Sequence, residues 1–149
     1  MRAIVQRVKN AQVSVDGKVI GQINAGLLVY LGVGKDDGES DALFTADKIA
    51  NLRIFADGNG KMNLSVKDTA GQALVVSNFT LFGDCRKGRR PGFDLAAEPE
   101  IAEKLYEKVV ELIRAEGIDV QKGIFAAYMD VTACNDGPIN FLIDSKKLF

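Results

Sequence analysis

The chain has no histidine among its 149 residues. That absence removes Ser-His-Asp and Cys-His nucleophile systems, and with them the commonest zinc ligand. Whatever chemistry occurs here runs without imidazole, and no metal or other cofactor is expected. Cysteine is nearly absent too: Cys85 and Cys134 lie far apart and neither belongs to a CxxC. Long apolar runs are missing, since nothing approaches the roughly 20 residues of a membrane span, and the opening MRAIVQRVKN lacks the apolar stretch of a signal peptide. A cytoplasmic address with no membrane contact is expected, in which the two cysteines read as free thiols. A strong positive charge is also lacking: the net charge is −1 and the pI about 5.5. Any nucleic-acid binding must therefore come from a local patch.

What is present suits a single globular domain covering 1–149, with 47% hydrophobic and 26% charged residues. The first third reads as short strands, AIVQRV, AQVSVD, KVIGQI and GLLVYLGVG, with turns at Asp16-Gly17 and Asn24-Ala25-Gly26. That spacing predicts an antiparallel meander. Ser40 is a candidate N-cap for a helix carrying Leu43, Ala46, Ile49 and Ala50 at helical spacing. RIFADGNGKMNLSV reads as strand, tight turn and extended segment, and QALVVSNFTLF as a buried central strand with polar groups at its far end. A second helix has Pro99 at its first position, Gly117 at its C-terminal cap, and an apolar stripe of Ile101, Leu105, Val109, Leu112 and Ile113. The expected class is α+β: a curved, largely antiparallel β-sheet with a barrel-like core and two main helices.

Four stretches could carry chemistry. RKGRR holds Arg86, Lys87, Arg89 and Arg90, four cations in five residues. It is either a solvated charged loop or a set of phosphate contacts. SNFTL ends a strand with Ser77 and Thr80; a nucleophile there needs a base, and none is apparent nearby in sequence. GVGKDDG lacks the spacing of a phosphate-binding GxxxxGK[ST] loop and is set aside. CNDGPINF interrupts a strand pattern with Asn135, Asp136, Gly137 and Pro138, which by residue type is a turn between two strands, a hairpin. Pro138 is unusual there, because proline donates no backbone hydrogen bond.

Taken together, MRAIVQRV, ANLRIFADGNGKMNLS, SNFTL, RKGRRPGF and NDGPINF resemble the D-aminoacyl-tRNA deacylase family along essentially the whole chain. The resemblance implies hydrolysis of the ester joining a D-amino acid to tRNA by a homodimer. It implies that Gly137-Pro138 takes a cis bond and reaches across the dimer interface into the partner's site, where backbone carbonyls meet the substrate ammonium and an L side chain would clash. It places Ser77, Asn78, Phe79 and Thr80 beside the scissile carbonyl, Phe125 and Met129 on the terminal adenosine, and Arg7 as a brace for the Gly-Pro loop. For Phe125 and Met129, core packing is the alternative. Asn78 departs from the family's usual Gln, and Cys134 and Ile139-Asn140 depart from an aliphatic residue and Val-Thr. The resemblance and the absence of imidazole together imply positioning of water, helped by the tRNA's own 2′-hydroxyl, and glycyl-tRNA is expected to be a second substrate. The competing readings are a Thr80-nucleophile esterase and a non-catalytic tRNA-binding module that uses RKGRR for phosphates.

Overall fold

The computed structural model describes residues 1–148. Its organising element is β1 (Arg2–Val15), one strand of 14 residues where the sequence suggests two. Lys9 and Asn10 are polar and exposed, but pairing with the C-terminal strand continues through them, Val8 with Asn135 and Asn10 with Cys134, so the strand bends without ending. The bend is visible in its buried residues: Ala3 and Val5 alternate on one side, and Val8, Ala11 and Val13 pick up a shifted phase. Such a shift in strand periodicity transfers side chains from one apolar face to another.

β2 (Lys18–Ile23) and β3 (Gly26–Gly32) share one edge of β1, β3 pairing with Arg2–Val8 and β2 with Ala11–Val15. Each of them pairs with its own half of β1 and not with the other, which replaces the simple meander. Beyond β3 the sheet becomes parallel: β6 (Gln72–Ser77) runs alongside β3, and β7 (Asp119–Lys122) alongside β6. β8 (Asp130–Asp144) follows the other edge of β1 along its whole length. The sheet is thus mixed, antiparallel around β1 and parallel from β3 to β7, and nearly closes into a barrel because the bend brings β2 over β6 and β7.

Residues along β3 and β6 alternate between two apolar clusters. Leu27, Val29, Leu31, Ala73 and Val75 face the helices, while Leu28, Leu74 and Val76 face the barrel interior with Val8, Ala11, Val13 and Ile23. Strands buried on both faces read as continuous apolar runs, as GLLVYLG and QALVV do. Between them lie α1 (Glu39–Asn51) and a small hairpin, β4 (Phe55–Ala56) with β5 (Met62–Leu64). Gly38 caps α1 instead of Ser40, because the Asp41 carboxylate three residues on, in the first turn, accepts from the Gly38 N–H at 2.9 Å. α2 (Pro99–Ala115) begins on its proline and is followed by Gly117 at φ +83°. Its buried face is Tyr106, Val109, Val110 and Ile113, whereas Ile101 is half exposed. The Tyr106 hydroxyl donates to the Val75 carbonyl at 2.9 Å, tying α2 to β6.

The glycine-rich loop after β3 is occupied internally. The Gly34 N–H donates to Asp37 Oδ2 at 2.6 Å, and the Met1 ammonium lies 2.7 Å from Asp37 Oδ1. Asp41 in turn accepts from Ser145 Oγ at 2.6 Å and Lys146 Nζ at 2.8 Å. This loop therefore joins β1 to the C-terminal segment, and its Gly34, Lys35, Asp37 and Gly38 N–H groups are taken by internal acceptors.

Candidate functional site

β6 ends at Ser77, and a single 3₁₀ turn, Phe79–Phe82, follows. Asn78 starts that turn: its Oδ1 accepts from the Thr80 N–H at 3.1 Å and also from the Thr80 hydroxyl. One methylene shorter than Gln, the Asn78 side chain has the reach of an Asx cap and is used as one. The Arg2 guanidinium supports the far end, donating to the Leu81 carbonyl at 3.0 Å and lying 4.6 Å above the Phe82 ring centroid. Helix starts leave N–H groups without partners. Among the described residues, none accepts from the Phe79 N–H.

This turn forms one wall of a cavity of about 690 Å³. Ser77, Asn78, Phe79 and Thr80 line it together with Phe125 and Met129 from the segment before β8, and with the first turn of α2. Phe125 packs on Tyr106 with ring centroids 5.9 Å apart. Gly123 makes room for Met129, since a Cβ there would come within 2.5 Å of its Sδ. Tyr30, Tyr106 and Tyr128 also line the cavity, and the sequence did not single them out. Burial raises the pKa of Tyr30, and desolvation by burial is the main cause raising that of Tyr106. Neither phenol serves as a base near neutral pH. Among the described residues lining the cavity, none is a carboxylate, lysine or arginine. The cavity is thus an apolar chamber with amide and hydroxyl groups at one end.

Gly137 and Pro138 do not line that cavity. CNDGPINF is not a hairpin, because both of its ends pair with the same strand, with a register shift between them: Cys134 with Asn10 and Asn135 with Val8 at its start, Asn140 with Gln6 and Phe141 with Val5 at its end. Asp136–Ile139 bulge outward within β8, opposite Arg7. Asn135 Nδ2 donates to the Arg7 carbonyl at 2.8 Å and the Ile139 carbonyl at 3.3 Å, and Asn140 Nδ2 donates back to Asn135 Oδ1 at 3.2 Å. Asn140, one of the departures from the family pattern, thus helps close the base of the bulge. The Gly137–Pro138 bond is cis, and Gly137 sits at φ +127°, where a Cβ would come 2.6 Å from Ile139 Cγ1. Only glycine fits that position.

Arg7 lies under the bulge. Its Nη1 donates to the Ile54 carbonyl at 2.7 Å, and its Nε is 2.9 Å from Asp136 Oδ2, a charge contact in which the N–H is not aimed at the oxygen. Arg86, Lys87, Arg89 and Arg90 occupy an exposed loop closed by paired backbone bonds between Asp84 and Gly92, at 2.8 and 3.0 Å. Arg86 is turned back on Asp84, its side chain donating at 2.7 and 2.9 Å. Its hydrogen bonds hold the Asp84 carboxyl down at about 2. Cys85 and Cys134 are both free and exposed.

A family model described as D-Tyr-tRNA(Tyr) deacylase matches residues 4–144. The chain is 60% identical to a D-aminoacyl-tRNA deacylase of Fervidobacterium nodosum and 57% identical to one of Thermotoga petrophila, each alignment covering 100% of both chains. Among solved structures it is similar to a c-Myc DNA unwinding element binding protein, with a TM-score of 0.91 and 38% identity over 97% of this chain and 98% of that one. A probable eukaryotic D-amino acid tRNA deacylase shares the fold, with a TM-score of 0.78 at 18% identity over 95% of this chain and 97% of that one.

Proposed function

The chain belongs to the D-Tyr-tRNA(Tyr) deacylase family, and on that premise we propose how its residues hydrolyse the ester of a D-aminoacyl-tRNA. The observation that carries the mechanism is the lining of the cavity: an apolar chamber with hydrogen-bonding groups at the end of β6 and no ionisable base. The reaction needs the ester carbonyl fixed and its developing oxyanion stabilised. The Phe79 N–H is the group suited to that, because no described residue accepts from it and no charged side chain lines the cavity. Water adds to the carbonyl carbon, the bond to the ribose oxygen breaks, and that oxygen leaves with a proton. The substrate's own neighbouring ribose hydroxyl relays the proton, since no carboxylate, lysine or arginine lines the cavity. Thr80 is not the nucleophile in this account, since its hydroxyl donates to an amide oxygen, which cannot accept the proton.

The cavity of one protomer is completed by a second. Along β8, Ala133, Cys134, Gly137, Pro138, Phe141 and Leu142 are exposed, and Leu142 is 64% exposed. A long edge strand with apolar residues in water is a surface that proteins cover. A homodimer covers it and carries the 136–139 bulge toward the partner's cavity, where the Gly137 and Pro138 backbone excludes an L side chain and Arg7 keeps the bulge in place. Phe125 and Met129 hold the terminal adenine, and Lys87, Arg89 and Arg90 contact phosphates. Charged tRNA is made and used in the cytoplasm, which is the compartment we assign. The test is incubation with D-tyrosyl- and L-tyrosyl-tRNA. Release of the D-amino acid alone is expected; bound but intact D-tyrosyl-tRNA would favour a binding module instead.

A further inference from the structure

Phe79 and Phe93 meet edge to face, with ring centroids 5.0 Å apart and planes at 66°. They do so in water: Phe79 is 58% exposed and Phe93 38%. Phe79 belongs to the cavity wall. Phe93 follows directly on Gly92, one of the two residues whose backbone bonds close the arginine loop. Its ring packs at the other end of the same turn, where a Cβ on Gly83 would lie 3.3 Å from Phe93 Cε1. The pair therefore spans the ground between the cavity and the base of the basic loop. Of that loop's cations, Arg86 is paired with Asp84, whereas Lys87, Arg89 and Arg90 form no ion pair among the described residues.

An exposed aromatic surface beside unpaired cations is how proteins hold single-stranded nucleic acid. Each base offers a π face, and the phosphates follow the positive charge. We infer that the Phe79–Phe93 pair is a stacking site for the nucleotide immediately 5′ of the aminoacylated one, with its phosphate directed toward Arg89 and Arg90. The inference rests on the deacylase reading, which puts the terminal nucleotide in the cavity. It adds a second nucleotide subsite outside the cavity, made by a residue, Phe93, that does not line it. Charge complementarity selects this occupant over an apolar one, because the platform adjoins unpaired cations on the loop.

The experiment compares D-aminoacyl-adenosine with a D-aminoacylated CCA trinucleotide. In the wild type kcat/KM is higher for the trinucleotide; in Phe93→Ala the ratio between the two substrates falls by about 5- to 150-fold, the range that removal of one stacking aromatic produces. Phe93→Trp retains the ratio, which separates stacking from a general loss of packing. A ratio of one in the wild type, or a ratio unchanged in Phe93→Ala, overturns the inference. Equilibrium binding of the uncharged trinucleotide against adenosine is measured alongside. If neither ester is cleaved but the trinucleotide binds more tightly than adenosine in a Phe93-dependent way, the deacylase reading fails and the stacking site stands. If Phe93→Ala instead shifts sedimentation from dimer to monomer, the occupant is a second copy of this chain and the inference is wrong.

Discussion

Arg7 and Asp136 oppose one another where β1 and β8 fall out of register, with Nε 2.9 Å from Oδ2. The contact gives the bulge a charged floor in addition to the Asn135 bonds. The Arg7 side chain is only 15% exposed, so its removal leaves both the Ile54 carbonyl and Asp136 without a partner.

Arg7→Ala is therefore expected to loosen the bulge without unfolding the barrel. Deacylation should fall at least tenfold, while the melting temperature drops by only a few degrees, in line with the loss of one charged hydrogen bond. Steady-state kinetics and a thermal melt read the two effects separately; a large fall in melting temperature with normal kcat/KM would reverse the assignment.

Completion of each site by the partner can be tested with hybrids. Gly137→Ala forces a Cβ against Ile139 and should inactivate the bulge. Ala102→Phe, on the first turn of α2, fills the cavity. Mixed after dissociation, two such inactive proteins should recover up to about a quarter of wild-type activity, because half the dimers are hybrids and each has one intact site. No recovery would mean that bulge and cavity act within one chain.

Thr80→Ala removes a hydroxyl that donates to Asn78 but leaves the backbone of the turn unaltered. A slowing between a few-fold and about a hundredfold is expected, not complete loss. Mass spectrometry of the quenched wild-type reaction should show no aminoacyl adduct. An adduct on Thr80 would establish it as the nucleophile.

Alanine at Lys87, Arg89 and Arg90 together should weaken tRNA binding across all tRNAs and lower its dependence on salt by about three phosphate contacts. Arg86→Ala alone should do much less, since Arg86 is already bonded to Asp84. Equal effects of Arg86 and Arg89 substitutions in a salt titration would contradict this.

Asp41 makes stability depend on pH. Burial alone would raise its carboxyl, but bonds from Lys146, Ser145 and Gly38 outweigh that and hold it at about 2. The folded value lies below the ordinary value of roughly 3.9. The stabilisation is therefore complete above about pH 4 and disappears as pH falls toward 2. Asp41→Asn should cost about 1–3 kcal/mol at neutral pH and flatten the acid limb of a denaturation curve.

The sequence alone determined the class, the two helices and the family, because each is written in local chemistry or in contiguous motifs. Pro99 and Gly117 mark α2, apolar runs on both faces mark β3 and β6, and SNFTL, RKGRRPGF and NDGPINF carry the resemblance. Asn78 was legible as a departure, but not as a cap, since its partner is decided by the turn that follows it. Only the tertiary structure decided that β1 is one bent strand and that CNDGPINF is a bulge within β8. A run of Asn, Asp, Gly and Pro has the same local preferences in either setting. What distinguishes them is the partner strand: β1 continues to pair on both sides of the bulge, and those bonds lie more than 120 residues away in sequence, as Asn135 on Arg7 does. The same holds for the cavity, whose walls come from β6, α2 and the segment before β8. Periodicity assigns a side chain to a face of its own element; which faces enclose a common space is a property of the packing.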